Sequence, residues 1–104
     1  LNTAMMNVYP CMKLPGSQLY NEAKNRLEQI PEKYVEFAFL SYDSMPSGTN
    51  ELTNKEVIGF RDYFWTTYFT NPFYLNKVER LFGAAQRKNV EEMASHRLQR
   101  KLYE

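Results

Sequence analysis

Residues Leu52 to Phe82, LTNKEVIGFRDYFWTTYFTNPFYLNKVERLF, decide how this chain folds. Thr53 and Glu56 have the spacing of a capping box, in which a hydroxyl and a carboxylate each take an amide that the first helical turn leaves unpaired. That predicts a helix starting near Asn54. It must stop before Asn71-Pro72, because a proline ring clashes with the preceding turn and biases its predecessor away from helical angles. Asn71 can cap a second helix with Pro72 at its first position, where a missing amide costs nothing. The first of these helices carries Val57, Ile58, Phe60, Tyr63, Phe64, Trp65, Tyr68 and Phe69, more apolar surface than a single buried stripe needs. A second cover is therefore expected, and Phe64, Trp65, Tyr68 or their neighbours should be either unusually exposed or covered by another copy of the chain.

Working outward, Phe73 to Phe82 continues as a short helix with Tyr74, Leu75, Val78, Leu81 and Phe82 apolar, closed by Gly83 as a left-handed cap. Ala84 to Tyr103 reads as the last helix, with a narrow stripe of Val90, Met93, Ala94, Leu98 and Leu102. Its Arg97, Arg100 and Lys101 would favour the negative end of the helix dipole. Upstream, the polar run Met45 to Asn50 reads as a turn. The weakly patterned stretch from Pro31 to Leu52 reads as an ordered connection that packs Tyr34, Phe37, Phe39 and Tyr42, with a helical turn near Glu32 to Phe37. Ser17 caps a helix over Gln18 to Glu28, closed by Pro31. Pro15 and Gly16 make a tight turn before it. Met5 to Tyr9, MMNVY, reads as a strand of about five residues. No second strand run follows to pair with it, so its partner is expected outside the sequence.

Composition narrows the functional classes. A chain of 104 residues holds at most one small domain. Net charge +1 and a pI near 8.0 favour neither nucleic acid nor an anionic membrane. Mean hydropathy is negative, and no apolar run approaches the roughly 20 residues of a membrane span, which predicts a soluble protein, while the lone cysteine fits a reducing, cytoplasmic setting. The single cysteine, Cys11, leaves no internal disulfide and no set of thiolates for a zinc or iron-sulfur site. His96 is the only histidine and reads as a solvated helix-face residue rather than a catalytic base. Cys11 follows a strand end, where barrel enzymes place site residues, but without an activating histidine it reads as a small, semi-buried side chain. Asp43, Glu56 and Asp62 show no spacing for paired-carboxylate chemistry.

Resemblance supplies what pattern and spacing do not. The run Asn7-Val8-Tyr9-Pro10-Cys11-Met12-Lys13-Leu14-Pro15-Gly16-Ser17-Gln18-Leu19-Tyr20 resembles the strand and Y-P-x-x-x-x-P-G-[ST]-x-L-Y turn that ends the catalytic barrel of radical S-adenosylmethionine proteins. The likeness is to the branch with an N-terminal cobalamin-binding domain, which includes Fe-S oxidoreductase-like members. Leu40-Ser41-Tyr42-Asp43, Leu52 to Asp62 and Tyr68 to Leu75 resemble that branch's C-terminal extension, in the same order. The resemblance implies an incomplete (β/α) barrel, a [4Fe-4S] cluster on a C-x-x-x-C-x-x-C loop, S-adenosylmethionine cleaved to a 5'-deoxyadenosyl radical, and cobalamin in this branch. This sequence has neither the cysteine loop nor a cobalamin motif. The expectation is a C-terminal fragment, starting at Leu1 as if cut, that carries no cofactor itself and is catalytically inactive.

Under that resemblance the fold is mainly α: a short N-terminal strand left over from the barrel, then about four helices in a small C-terminal cap. Residues 1–30 would be the last barrel strand, turn and helix, and 31–104 the helical extension. Tyr9, Pro10 and Cys11 match the segment near the adenosyl or substrate side of the barrel mouth. The expected partner is the missing upstream barrel, or a second copy through the aromatic helix. The alternative from a different class is an autonomous helical interaction module with an exposed aromatic face.

Overall fold

The computed structural model describes residues 5–104, and the expectation attached to Leu1 lies outside them. The protein is mainly helical, with four α-helices and no strand among the described residues: α1 (Gln18–Asn25), α2 (Asn54–Phe69), α3 (Pro72–Phe82) and α4 (Ala84–Ser95). Short 3-10 turns cover Tyr34–Phe37 and Lys101–Tyr103. None of the described helices is long and apolar enough to cross a membrane. Packing divides the chain into two units that are each discontinuous in sequence. One contains residues 5–8 with Arg61–Arg97, and the other contains Tyr9–Phe60 with Leu98–Glu104, so the boundary falls inside α2. The expected division at 30/31 concerns which residues belong to a barrel, and packing follows a different line.

In the first unit, helix boundaries follow local chemistry. Asn71 caps α3, its side-chain oxygen accepting from the Phe73 amide at 2.9 Å with Pro72 at the first position. Gly83, at φ +94°, closes α3 and opens α4 in one residue, a backbone setting that a side chain would strain. Phe69, Tyr74, Leu75, Val78, Val90 and Ala94 form the core, with Trp65, Tyr68 and Met93 packed on it. Phe69 is completely buried and meets three rings, Trp65 at 4.6 Å, Tyr68 at 5.2 Å and Tyr74 at 5.4 Å between centroids. Burying a Phe contributes ~1.5–3 kcal/mol from area alone, and tilted or edge-on ring pairs add to that. Arg87 joins α3 to α4, donating to Asn76 and Glu79 at 2.8 Å and to Glu91 at 2.9 Å. The Glu91 and Glu79 carboxylates hold its guanidinium above its ordinary pKa.

The surplus apolarity of α2 resolves into three fates. Ile58 and Phe69 are wholly buried, and Phe64, Trp65 and Tyr68 are half-buried, whereas Phe60 and Tyr63 are 62% and 68% exposed. The exposed members of the aromatic run are thus the neighbours of the three residues singled out. α3 shows a similar split, with Tyr74, Leu75 and Val78 inside while Leu81 and Phe82 are exposed.

The second unit departs further from expectation. α1 starts at the Ser17 cap, whose Oγ accepts from the Tyr20 amide at 3.1 Å, but it stops at Asn25 rather than Glu28. The reason is a Schellman closure: the Leu27 amide bonds the Lys24 carbonyl and the Glu28 amide bonds the Ala23 carbonyl at 2.9 Å, with Leu27 at φ +58°. A leucine there is sterically costly, which is why sequence patterning does not signal it. The 3-10 turn Tyr34–Phe37 matches the expected helical turn. Tyr34, however, is 93% exposed and packs nothing.

α4 also ends early, at Ser95 rather than Tyr103. The Ser95 hydroxyl bonds back to the Glu92 carbonyl and the Arg97 guanidinium takes the Ala94 carbonyl at 2.6 Å, so carbonyls of the last turn are satisfied without another turn of helix. Only part of the expected stripe, Val90, Met93 and Ala94, is helical. Arg100 and Lys101 lie beyond the helix and do not serve its dipole as expected.

Candidate functional site

The residues that the resemblance marks, Tyr9, Pro10 and Cys11, lie together at the start of the second unit. The preceding run Met5 to Tyr9 forms no strand, and it makes no hydrogen bond to another described residue. A strand requires a ladder, and none of the described residues supplies one. Tyr9 is 64% exposed and its ring meets the Phe39 ring edge to face at 4.9 Å and 76°. Pro10 is buried. Cys11 is exposed, contrary to the semi-buried position expected, because only its backbone is engaged: its carbonyl accepts from the Ser47 amide at 2.7 Å. Its thiol makes no hydrogen bond to a described residue.

After these residues the chain turns at Leu14-Pro15-Gly16-Ser17. The Ser17 amide closes onto the Leu14 carbonyl at 3.0 Å, and Gly16 has φ +87°. Proline at the second position and a positive φ at the third are what a type II turn requires. The expected turn and its glycine are therefore formed.

Opposite the segment runs the loop from Ala38 to Gly48, which the sequence left without pattern. Its end was expected as a polar turn, but Ser44, Pro46 and Ser47 are buried. Backbone hydrogen bonds account for this inward path: the Met45 amide donates to the Glu36 carbonyl at 2.8 Å and the Ser47 amide to Cys11. Gly48 is required by close approach, since a Cβ there would stand 2.9 Å from the Leu52 carbonyl oxygen and 3.1 Å from the Asn54 amide. The Ser44 hydroxyl is buried without a partner among the described residues. Glu36 takes the amides of Lys33 and Glu32 on its carboxylate, which holds its pKa below the usual value.

Sequence reasoning placed Arg100 on the last turn of a helix and missed what it binds. It is only 2% exposed, and its guanidinium donates to the carbonyls of Phe39 at 2.6 Å and Ser41 at 2.9 Å. The Lys101 amide adds a bond to the Tyr42 carbonyl at 3.0 Å. Nearby, a hydrogen bond from Tyr42 to the Glu104 carboxylate pushes the phenol's pKa up. The contacts of Arg100 lie 59 and 61 residues back in the chain, and no local pattern encodes them.

Two surface clefts lie among the described residues. In the second unit a polar cleft of about 560 Å³ is bordered by Lys13, Arg26, Glu28, Ser47 and Asn54. In the first, an apolar groove of about 570 Å³ is bordered by Met5, Tyr74, Val78, Phe82, Val90 and Met93. His96 is exposed at the end of α4, as its neighbours implied. Among the described residues, no three His, Cys, Asp or Glu side chains gather to hold a metal. What the Tyr9–Cys11 segment offers chemically is an aromatic edge, a rigid proline and an accessible thiol. The Tyr9 ring and the Cys11 thiol can line a binding surface while buried Pro10 fixes the backbone between them, and the three form no acid-base pair. Compared with protein-family models, curated proteins and solved structures, the chain matches none.

Proposed function

We propose that this chain is the C-terminal region of a radical S-adenosylmethionine enzyme, in the branch with a cobalamin-binding domain, and that it completes and caps a barrel supplied by the same polypeptide. One observation carries this reading beyond the sequence likeness. Along residues 5–9 exposure alternates, with Met5, Asn7 and Tyr9 out and Met6 and Val8 half-buried, the period of two of a strand. The backbone of that run is unpaired among the described residues, although its residue types favour a ladder. A neighbouring barrel strand would satisfy it. The turn at Pro15-Gly16 and the Ser17-capped helix then follow in the order the family uses.

In this reading Tyr9, Pro10 and Cys11 line the adenosyl or substrate side of the barrel mouth, and residues 31–104 form the extension. The donor set of this chain does not fit a [4Fe-4S] cluster, since one cysteine cannot replace a three-cysteine loop. The cluster, S-adenosylmethionine and cobalamin therefore belong to the upstream part, and no catalytic step is assigned to a residue here. A cytoplasmic, reducing setting goes with such chemistry. The test is to express the chain alone and joined to its upstream coding sequence. The joined protein should bind an iron-sulfur cluster and reductively cleave S-adenosylmethionine. Cluster absorbance and cleavage by the isolated chain would refute the assignment.

A second reading rests on Tyr63, Phe73 and Phe82, which are 68%, 84% and 60% exposed in one small unit. An autonomous interaction module would use such rings to bind a partner or a second copy. Sedimentation of the isolated chain, combined with binding to the upstream barrel, separates the two. Self-association without affinity for the barrel favours the module.

A further inference from the structure

Two arginines are buried in this chain, and they are held in different ways. Arg61 pairs with its sequence neighbour Asp62 at 3.1 Å and lies over the Trp65 ring at 5.2 Å. Arg100 reaches across the chain to the carbonyls of Phe39 and Ser41. A guanidinium is costly to bury unless its donors find acceptors, and its planar fork can meet two carbonyls at once where a lysine head cannot hold the same geometry.

The loop that Arg100 grips is also the loop that holds the candidate site. Phe39, whose carbonyl takes the guanidinium, presents its ring to Tyr9. Eight residues further along, the Ser47 amide holds the Cys11 carbonyl at 2.7 Å. The loop thus touches the Tyr9–Cys11 segment at both ends. We infer that Arg100 is a positioning residue for that segment, a latch through which the C-terminal tail sets where Tyr9 and Cys11 stand. Displacing the tail releases the loop and then the segment. The functional consequence, control of the barrel mouth, rests on the reading of Tyr9–Cys11 given above. The mechanical coupling does not.

The coupling can be read on the whole chain without activity. Cys11 is the only cysteine and is exposed, so a nitroxide or fluorine tag attaches to it without further substitution. In Arg100→Ala, the Ser47 amide should exchange with solvent about tenfold faster or more, and the Cys11 tag should gain mobility. The Glu28 amide, which closes α1, should change less than about twofold. Arg100→Lys should recover part of the tag's restriction, and it carries the same test if Arg100→Ala fails to fold. Unchanged Ser47 exchange and tag mobility would overturn the proposal. Equal acceleration at Ser47 and Glu28 would also overturn it, because that is the signature of general loosening. Either negative result removes the latch and leaves the family assignment to be decided by the upstream sequence.

Discussion

The two units of this chain are built by different means. The first is an aromatic core under α3 and α4, where Phe69 is sealed among Trp65, Tyr68 and Tyr74. The second relies on backbone hydrogen bonds to a long loop, buried serines and the guanidinium of Arg100, with α1 its one complete α-helix among the described residues. Apolar burial tolerates adjustment of side chains, whereas a hydrogen-bonded loop depends on a backbone path that few substitutions preserve. The first unit should therefore fail through lost volume and the second through lost backbone geometry.

The largest expected effect is Phe69→Ala, which should destabilise the first unit by ~3–5 kcal/mol as the three surrounding rings lose their common partner. Thermal unfolding followed by near-ultraviolet aromatic signals would show it, and a loss under 1 kcal/mol, on the order of a tolerated swap, would break the contrast. Next comes Gly48→Ala in the second unit. A methyl there meets backbone rather than a flexible side chain, so the cost should be ~1–3 kcal/mol, read as a lowered denaturation midpoint. A neutral result would show that the Leu52–Asn54 backbone gives way and that the loop is less constrained than its contacts imply.

The elements that could be read from sequence are those whose cause is local. Thr53 and Glu56 cap α2 as expected, with the Thr53 amide donating to the Glu56 carboxylate at 2.7 Å and the Glu56 amide to the Thr53 hydroxyl at 3.2 Å. Asn71, Ser17 and the two positive-φ glycines likewise sit within a few residues of what they control. Leu27 in a left-handed position, the early end of α4 and the inward path of Ser44 to Ser47 were not legible. Leu27 takes a conformation its residue type usually avoids, the Ser44 to Ser47 path is set by bonds to Glu36 and Cys11 further back in the chain, and α4 stops where Ser95 and Arg97 side chains take carbonyls that another helical turn would have used. The candidate site divides in the same way. Tyr9, Pro10 and Cys11 were found through their resemblance to a family's turn, while Arg100, Phe39 and Ser47 were hidden because their pairing is long-range.

Smaller effects sharpen the comparison further. Leu27→Gly should stabilise the second unit by ~1 kcal/mol, since the leucine pays the left-handed penalty while 92% exposed. Denaturant melts of the single variant would measure it, and destabilisation would show that the leucine makes contacts absent from this structure. The smallest effect concerns Glu36. Its folded pKa is depressed by the Lys33 and Glu32 amides, so its contribution is present above the ordinary value of 4.5 and fades as pH falls through the lower folded value. The Glu32 and Lys33 amide resonances should shift in that acidic window and stay flat in Glu36→Gln. Titration at neutral pH instead would contradict the assignment.

The central proposal is that Met5 to Tyr9, which forms no strand among the described residues, would pair as one with a barrel encoded upstream. The most direct measurement is the nucleotide sequence upstream of the codon for Leu1. The account predicts an open reading frame continuous with this one, containing a C-x-x-x-C-x-x-C loop about a barrel's length before Leu1. A continuous frame without that loop, or a stop codon shortly upstream, would contradict it.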